Sequence, residues 1–465
     1  MKTTTNILIL VLATVMQSSL SAQVISTSGS VVVNNTSGTV IVTNTVEANS
    51  GATVQNGGTL ELTDLTNAGT VEGNGTYTVA GAFTNSGTFT PGSSSITFTG
   101  SGVQTIPGVG FHNITITNAG VSSLAGTSSI SGDLSVTGGT FDLTTFTANR
   151  LTLGGTFTLA ASCTLRIGGD GTTLPSNFAT YDFDPASRVE YYGTNQTMPG
   201  GTYENLTVDG SGTTITLSAD VDVVGDLIIT DGTLDLGIYT ADRTTSGGTL
   251  SVGAGGSLII GGTNPMPANY TTYTFDAAST VEFSGTNHTI GAFNFGNLTV
   301  SASGTLTLAN GGTIGIAGTF TPGAGTYVTT NNTIDYNNAG AQTVAAFAYN
   351  NLSLSTSGTK TFASGTTSIA GTFSVSGATA DATTNTSNIN YSGTGAQTIV
   401  PMTYYGLTFS NGGTKTITGA VVVDQNMVTN AGSVIVIDVP GSLTIHGDLD
   451  NSGDFTNNGT LSMIP

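Results

Sequence analysis

The chain has 465 residues, of which 7% are charged, and 27 acidic side chains against 7 basic ones give a formal net charge of −20. The few basic residues are scattered, which argues against nucleic acid or an anionic membrane surface as a partner, because both need clustered Lys and Arg. Val, Ile, Thr, Phe and Tyr alternate with polar residues at period two, which favours β-strands over disorder. We therefore expect an all-β chain.

The N-terminus has the pattern of an export signal. Lys2 supplies a positive start, residues 7–15 are apolar, and small residues lie at 19–22 before the expected cleavage site. The apolar run is too short to span a bilayer. We expect residues 1–22 to be a signal peptide cleaved near Ala22, and the mature chain to be secreted, associated with the cell surface and without a transmembrane segment.

Five copies of one segment organise the rest of the chain. Each copy has a Gln-Thr or His-Thr pair followed by an apolar residue, and an aromatic residue follows five positions later; in four copies an Asn comes two positions after the aromatic residue. We call this segment the marker, and its copies begin at Gln104, Gln196, His288, Gln342 and Gln397. The offsets between successive copies are 92 (104 to 196), 92 (196 to 288), 54 (288 to 342) and 55 (342 to 397).

The markers divide the chain into repeat units. The predicted units are an N-terminal cap with the first rungs (23–97), two long units (98–189 and 190–281), two short units (282–335 and 336–390) and a last unit (391–465). The last unit ends within the pattern at Pro465. We expect this end to be open, contacting a downstream domain or another chain end to end, since an uncovered strand edge can pair.

The offsets between the copies predict a right-handed parallel β-helix. The long and short offsets, 92 and 54, differ by 38. A rung of about 18 residues, with room for three short strands, relates all the offsets to whole rungs and gives roughly 24 rungs in the mature chain. A solenoid tolerates the loss of whole rungs. A tandem array of β-sandwiches remains the alternative, because the long offset is close to the length of one sandwich domain.

The marker itself is expected to be structural. We predict that the Gln-Thr pair lies at a corner of the coil and that the Asn residues lie at a turn, where their side chains bond local backbone. The aromatic residue before each Asn fits a core better than a binding platform. The single cysteine, Cys163, is expected to be buried and unreactive.

Carboxylates are the candidate site residues. The densest group consists of Asp220, Asp222, Asp226, Asp231 and Asp235. Asp220 and Asp222 would share one face of a strand, a spacing that suits two oxygen ligands of Ca²⁺ or an acid–base pair. The weak Ca²⁺ candidates are thus Asp220, Asp222 and Asp226, and no catalytic or cofactor-binding residue is assigned. The competing interpretation is a repeated acidic turn, because Asp133 matches Asp226 in the other long unit.

A second metal candidate is the alternating group of His446, Asp448 and Asp450. Gly447-Asp448-Leu449 repeats the sequence of residues 132–134, which favours a structural role for Asp448. The sequence has no Ser-His-Asp elbow, phosphate loop or zinc spacing. Thr-x-Thr strands raise a minor ice-binding hypothesis, although aligned copies mix Thr with other residues.

The aligned repeats resemble the β-strand repeats of large secreted surface proteins of Bacteroidota. The resemblance is carried by the Gly-x-Gln-Thr-Ile and Phe/Tyr-x-Asn-Leu-Thr units, the Gly-Thr-Phe/Leu strands and the Ser-Ala-Gln end of the export signal. It implies a haemagglutinin-like β-helix with an adhesin function. Many such proteins use type IX secretion and a C-terminal sorting domain, which this sequence lacks before Pro465.

These features predict an exported cell-surface adhesin or structural stalk that binds surface glycans or other cell-surface components multivalently. We expect no enzymatic activity and no cofactor other than a weakly supported Ca²⁺. The alternative is a carbohydrate-active β-helix enzyme, a polysaccharide lyase or hydrolase. That alternative needs a cleft with convergent carboxylates, for which residues 220–235 are the best location.

Overall fold

The computed structural model describes residues 22–27, 30–34, 39–171 and 173–464, and within these ranges it contains strands and no helix. The strands run parallel and stack as a right-handed β-solenoid of about 21 turns. This confirms the predicted fold and excludes the array of β-sandwiches. The predicted signal peptide, 1–22, lies outside the described residues except for Ala22.

The chain forms two compact units. The first extends to Ile228 and includes Asp242–Gly248, and the second consists of Ile229–Ala241 and the chain from Thr249 onwards. The strands of the first unit are β1 (Ala22–Thr27), β2 (Ser30–Asn34), β3 (Thr39–Ala48), β4 (Thr53–Asn56), β5 (Thr59–Asn67), β6 (Thr70–Glu72), β7 (Thr76–Val79), β8 (Phe83–Asn85), β9 (Thr88–Thr90), β10 (Ser95–Phe98), β11 (Gln104–Ile106), β12 (Gly110–Phe111), β13 (Asn113–Ile116), β14 (Val121–Leu124), β15 (Ser128–Ile130), β16 (Leu134–Val136), β17 (Thr140–Asp142), β18 (Ala148–Arg150), β19 (Gly154–Leu159), β20 (Thr164–Ile167), β21 (Phe178–Phe183), β22 (Arg188–Tyr191), β23 (Gln196–Met198), β24 (Gly201–Tyr203), β25 (Asn205–Leu217) and β26 (Val221–Val223).

Three strands contain residues of both units: β27 (Leu227–Asp235), β28 (Ala241–Asp242) and β29 (Gly247–Ile260). The remaining strands belong to the second unit: β30 (Tyr270–Phe275), β31 (Thr280–Phe283), β32 (Thr289–Ile290), β33 (Asn294–Phe295), β34 (Asn297–Val300), β35 (Thr305–Leu308), β36 (Thr313–Ile316), β37 (Phe320–Thr321), β38 (Thr326–Val328), β39 (Thr333–Tyr336), β40 (Gln342–Val344), β41 (Ala348–Tyr349), β42 (Asn351–Leu354), β43 (Thr359–Phe362), β44 (Gly365–Ile369), β45 (Phe373–Val375), β46 (Thr379–Asp381), β47 (Ser387–Tyr391), β48 (Gln397–Ile399), β49 (Thr403–Tyr404), β50 (Gly406–Phe409), β51 (Gly413–Ile417), β52 (Ala420–Val423), β53 (Met427–Thr429), β54 (Ser433–Ile437), β55 (Ser442–Ile445), β56 (Leu449–Asn451), β57 (Asp454–Asn457) and β58 (Thr460–Met463).

One turn of the coil consists of three short strands on three sheets. Strands β10, β11 and β12 make such a turn, and the next turn places β13 on β10, β14 on β11 and β15 on β12, all in parallel. Along β13 the burial alternates, so that Ile114 and Ile116 point inward onto Ile96 and Phe98 of the turn before. Each fully buried side chain of this size contributes about 1.5–3 kcal/mol. The period-two pattern of the sequence therefore builds the core from turn to turn.

The turns vary in length. Gln397 pairs with Lys415, 18 residues later, whereas Asp142 pairs with Arg166, 24 residues later. The predicted rung of about 18 residues therefore describes the turn that begins at the last marker, and other turns are longer. Longer turns explain why the coil has about 21 turns.

The prediction that all marker offsets are whole rungs is wrong. In the second unit Phe295 stacks on Ile316, then Tyr336, then Leu354, so three turns advance the chain from position 295 to position 354. The marker advances only from 288 to 342 over the same stretch. Leu354, the counterpart of Val300, therefore stacks over the strand of Phe295 and not over its own counterpart.

The short repeat is thus one strand short of three turns. Strand β34 lies in the sheet with β31 and β37, whereas β42 lies in the sheet β33-β36-β39-β42-β45. The physical reason is that all three sheets share the same inward apolar alternation, so a repeat can be accepted on any of them.

Candidate functional site

The glutamine of the marker lies at a corner, as predicted, and its side chain is buried. The Nε2 of Gln104 donates hydrogen bonds to the carbonyl oxygens of Val79 (2.9 Å) and Gly81 (2.6 Å), one turn below. Its Oε1 accepts from the N–H of Gly100 at 3.3 Å. Because the amide oxygen and nitrogen of Gln104 both bond the backbone, the side chain closes the corner and presents nothing to a ligand.

The other copies repeat this arrangement. Gln342 donates to Ile316 O (2.7 Å) and Gly318 O (2.8 Å). In the third copy His288 takes the place of Gln, with its Nδ1 2.8 Å from Asn264 O and its Nε2 against Ser284 O. A buried imidazole held by backbone carbonyls on both nitrogens has no free nitrogen for general-base work.

The marker asparagines join three consecutive turns. Asn297 Nδ2 donates to Ser279 O of the turn below at 3.0 Å, and its Oδ1 accepts from Thr319 N of the turn above at 2.9 Å. Asn351 does the same with Asn332 O (3.0 Å) and Thr372 N (2.8 Å). The predicted structural role is therefore confirmed, but the bonds go to neighbouring turns and not to local backbone.

The marker aromatics belong to the core, as predicted. The five residues, Phe111, Tyr203, Phe295, Tyr349 and Tyr404, are all buried. In the fourth and fifth copies the marker aromatic meets a tyrosine 13 residues earlier in the chain, hydroxyl to hydroxyl: Tyr336 and Tyr349 at 2.8 Å, and Tyr391 and Tyr404 at 2.9 Å. Burial raises the pKa of Tyr336 to about 12, so these hydroxyls stay neutral and act as hydrogen-bond donors and acceptors only.

Two buried lysines follow the last two markers, and sequence reasoning missed them. Lys360 and Lys415 are the register partners of Gln342 and Gln397. Lys415 Nζ donates to Gly393 O and to Gln397 Oε1, both at 2.6 Å. Burial lowers the pKa of Lys415 to about 8. The available signal was that each lysine follows a marker glutamine by the length of one predicted rung.

The acidic residues of 220–235 lie on separate strands and loops. Asp220 is exposed, and Asp222 is half-buried on β26 beside Thr202 of β24. The backbone N–H of Asp226 donates to Asn205 Oδ1 at 3.0 Å. Within the described residues no group of three or more His, Cys, Asp or Glu side chains lies close enough together to hold a metal ion. Ca²⁺ binding at Asp220, Asp222 and Asp226 stays a prediction.

The remaining carboxylates of this group accept hydrogen bonds from backbone N–H groups. Asp231 Oδ1 accepts from Gly232 N at 2.8 Å, and Asp235 Oδ1 accepts from Gly237 N at 2.9 Å. In the other long unit Asp133 Oδ1 accepts from Thr156 N at 2.8 Å. Asp235 matches the repeated acidic turn that the sequence offered as the competing interpretation. Asp231 lies within β27, and Asp133 bonds the next turn of the coil.

The histidine of the second metal candidate faces a carboxylate at the surface. His446 Nδ1 lies 3.3 Å from Asp424 Oδ1, and both side chains are about two-fifths exposed, at 42% and 39%. Exposed pairs of this kind contribute less than about 1 kcal/mol. The backbone N–H of Asp448 bonds Asn426 Oδ1 at 3.4 Å, a structural contact.

The first unit contains an open pocket with aromatic walls. Its volume is about 430 Å³ and its lining includes Tyr181, Phe183, Gly201 and Thr202. Tyr181 is 41% exposed, and its hydroxyl donates to Pro175 O at 2.8 Å. The pocket size lies within the range of small-molecule sites. We call this feature the Gly201 pocket.

A carboxyl with a perturbed pKa follows the pocket wall in the chain. Burial raises the pKa of Glu204, and the negative charges of Asp184 and Asp222 raise it further. Its Oε2 is buried and has no hydrogen-bond partner among the described residues. Perturbed carboxyls next to a pocket mark candidate functional sites. Two sequence-predicted candidates lie beside this pocket: Asp222 is the register partner of Thr202, and Asp220 O accepts from Gly201 N at 3.4 Å.

Sequence reasoning missed Gly201, Tyr181 and Phe183. A signal was present two positions before the marker aromatic, where the five copies carry Val109, Gly201, Phe293, Phe347 and Met402. Gly201 is thus the only copy without a side chain at this position. The absence of one apolar side chain in a repeated pattern predicts an opening, as the structure has it.

Cys163 is a free, buried thiol, as predicted. Burial raises its pKa, and Asp184 raises it further, which disfavours the reactive thiolate. The described part of the chain also contains no helix of the length and apolarity needed to cross a membrane.

Comparisons with known proteins give no relative to argue from: no family model, no curated protein and no solved structure matches the chain.

Proposed function

We propose that this chain is an exported cell-surface adhesin or structural stalk that binds glycans multivalently. The observation that carries the proposal is that the marker side chains close the coil. Gln104, Asn297 and Tyr404 each bond other residues of the coil. The repeats therefore extend a scaffold, and outward polar strand residues and turns remain to meet a partner.

The test is binding to immobilised polysaccharides and glycans over a range of surface densities. A multivalent binder gains avidity steeply once neighbouring sites are engaged together, so retention should rise faster than linearly with glycan density. Retention proportional to density would contradict multivalency. Failure to bind any glycan at the highest density would overturn the adhesin proposal.

A second candidate function, cleavage of a polysaccharide, is favoured by Glu204. A carboxyl whose pKa is raised by burial and by Asp184 and Asp222 has the character of a general acid near an ionised partner. The measurement is the release of new chain ends from a polysaccharide panel. Activity that is lost in both Glu204→Gln and Asp222→Asn would replace the adhesin proposal with an enzyme.

A further inference from the structure

We propose that the Gly201 pocket binds one six-membered ring of a neutral sugar against the rings of Tyr181 and Phe183, which stand at 84° to each other. This inference rests on the proposed glycan-binding function and gives it a site.

The second unit shows what fills the equivalent place in another copy. Phe293 stands at the position of Gly201, and its ring centroid lies 4.6 Å from that of Tyr273 and 6.4 Å from that of Phe275. Tyr273 and Phe275 correspond to Tyr181 and Phe183 in the aligned long units. The architecture thus holds a flat ring at this place.

The fourth marker repeats the filling. Phe347 lies 4.8 Å from Tyr327 and 5.2 Å from Phe320, ring centroid to ring centroid, both edge-on. Two copies therefore supply their own six-membered ring to aromatic side chains of the preceding turn. Ring-on-ring contact of this kind is worth about 0.5–1.5 kcal/mol beyond burial.

In the second marker that ring is missing. A Cβ placed on Gly201 would meet no atom within 4 Å, so the space that Phe293 fills elsewhere is open. The walls are held without it: Phe157 supports Tyr181 and Phe183 at 6.2 Å and 5.2 Å between ring centroids. A rigid, open site binds a ligand at a lower ordering cost than one that must form.

The side chains in and near the pocket determine which kind of sugar ring it favours. Aromatic faces carry negative potential and attract the C–H groups of a sugar face. Thr202 and Ser176, which also line the pocket, supply hydroxyls for orienting hydrogen bonds. The chain's net charge of −20 and the carboxyls of Asp184 and Glu204 near the pocket disfavour an anionic sugar. A neutral pyranose fits these conditions.

The test is calorimetric titration of the full chain with cellobiose, maltose and lactose, with digalacturonate as the anionic probe. We expect at least one neutral disaccharide to bind with one site per chain and the anionic one not to bind. Tyr181→Ala should weaken binding about tenfold, and Tyr405→Ala, a half-buried tyrosine outside the pocket, should leave it unchanged. Stacking on Tyr181 should also perturb that ring's NMR signals.

Two further variants use the repeat as a guide. Gly201→Phe, which imitates the third marker, should abolish binding. Because Gly201 has a φ of 139°, circular dichroism is used to check that this variant folds. Tyr181→Ala tests the pocket independently of that backbone change. Phe293→Ala should open a second site. If disaccharides bind equally well to Tyr181→Ala, the pocket assignment is overturned while the glycan function stands. If the wild-type chain binds neither disaccharides nor immobilised polysaccharides, the function itself fails.

Discussion

Single buried polar residues hold successive turns together. Gln104 satisfies three backbone groups across two turns, and each bond is worth about 0.5–1.5 kcal/mol net, with a larger cost when a buried partner is left unpaired. The recurrence of this glutamine could be seen in the repeat, because a Gln recurs where an apolar strand residue is expected. The burial of the glutamine side chain could not be predicted, since no single sequence feature distinguishes a side-chain amide that points into the coil from one that points outward.

The substitution Gln104→Glu tests this role. A carboxylate cannot donate to the carbonyls of Val79 and Gly81, so we expect a loss of about 1–3 kcal/mol in the free energy of unfolding at pH 7. Protonation restores one donor, and the loss should shrink on acidification. Thr105→Glu, exposed on the same strand, is the matched control for added charge. Equal stability of the two variants would show that Gln104 is not buried.

Lys415 makes the stability depend on pH in a defined direction. Its folded pKa of about 8 lies below the usual value of 10.5, so between these values the unfolded chain binds more protons and stability rises with pH. Below about pH 8 both states are charged and the full cost of burial remains. In Lys415→Leu, which copies Leu306 of the third copy, this rise should disappear.

The measurement is thermal or urea unfolding of wild type and Lys415→Leu from pH 7 to pH 10.5. The difference in unfolding free energy between the two proteins should change with pH by an amount set by the difference between the folded and unfolded pKa values of Lys415. The wild type should gain stability relative to the variant as the pH rises. Thr416→Leu on the same strand controls for added apolar surface. A constant difference over this range would contradict the lowered pKa.

At the scale of elements, the corner after each of the last two markers couples a tyrosine pair to a backbone group. The N–H of Val400 donates to Tyr391 Oη at 3.0 Å, and Tyr404 Oη donates back to Val400 O at 2.7 Å. In the first copy Pro107 has no N–H to satisfy, and Phe98 and Phe111 stand where the tyrosines are. In the fourth and fifth copies the tyrosine pair satisfies the N–H of the corner, whereas in the second copy, where Pro199 has no N–H, Tyr203 Oη donates to Pro199 O at 3.0 Å.

This dependence predicts a rescue. Tyr391→Phe leaves the Val400 N–H buried without an acceptor and should cost about 1–3 kcal/mol in unfolding free energy. Adding Val400→Pro removes that donor and should recover part of the loss, because Pro199 occupies the same position in the second copy. Chemical denaturation of the two single variants and the double variant measures the coupling. Strict additivity would rule out the proposed link.

Strands could be predicted from the sequence better than their stacking. The alternation in Asn113-Ile114-Thr115-Ile116 identifies β13 and its inward face directly. The order of sheets could not be predicted, because every sheet accepts the same pattern and the turns differ in length. The Gly201 pocket depends on this stacking, since Tyr181 of β21 and Gly201 of β24 meet only across a turn.

At the scale of the whole molecule, the chain forms a parallel solenoid whose marker is a corner and not a binding motif. In the second unit successive markers advance by less than a whole number of turns, so the short copies fall on different sheets. A surface built from outward marker residues is therefore distributed over several faces. This arrangement suits a scaffold better than it suits a single flat recognition surface.

The register that follows a marker provides the most direct test of the solenoid. Thr398 and Thr416 are in-register partners on β48 and β51, and parallel neighbours lie about 4.8 Å apart, within reach of a disulfide. After mild oxidation, peptide mapping should find the disulfide in Thr398→Cys/Thr416→Cys, with unfolding still cooperative. It should be absent from Thr398→Cys/Thr418→Cys, whose partner is displaced by two residues, to about 8 Å. Bridging of the displaced pair in preference to the in-register pair would contradict the solenoid.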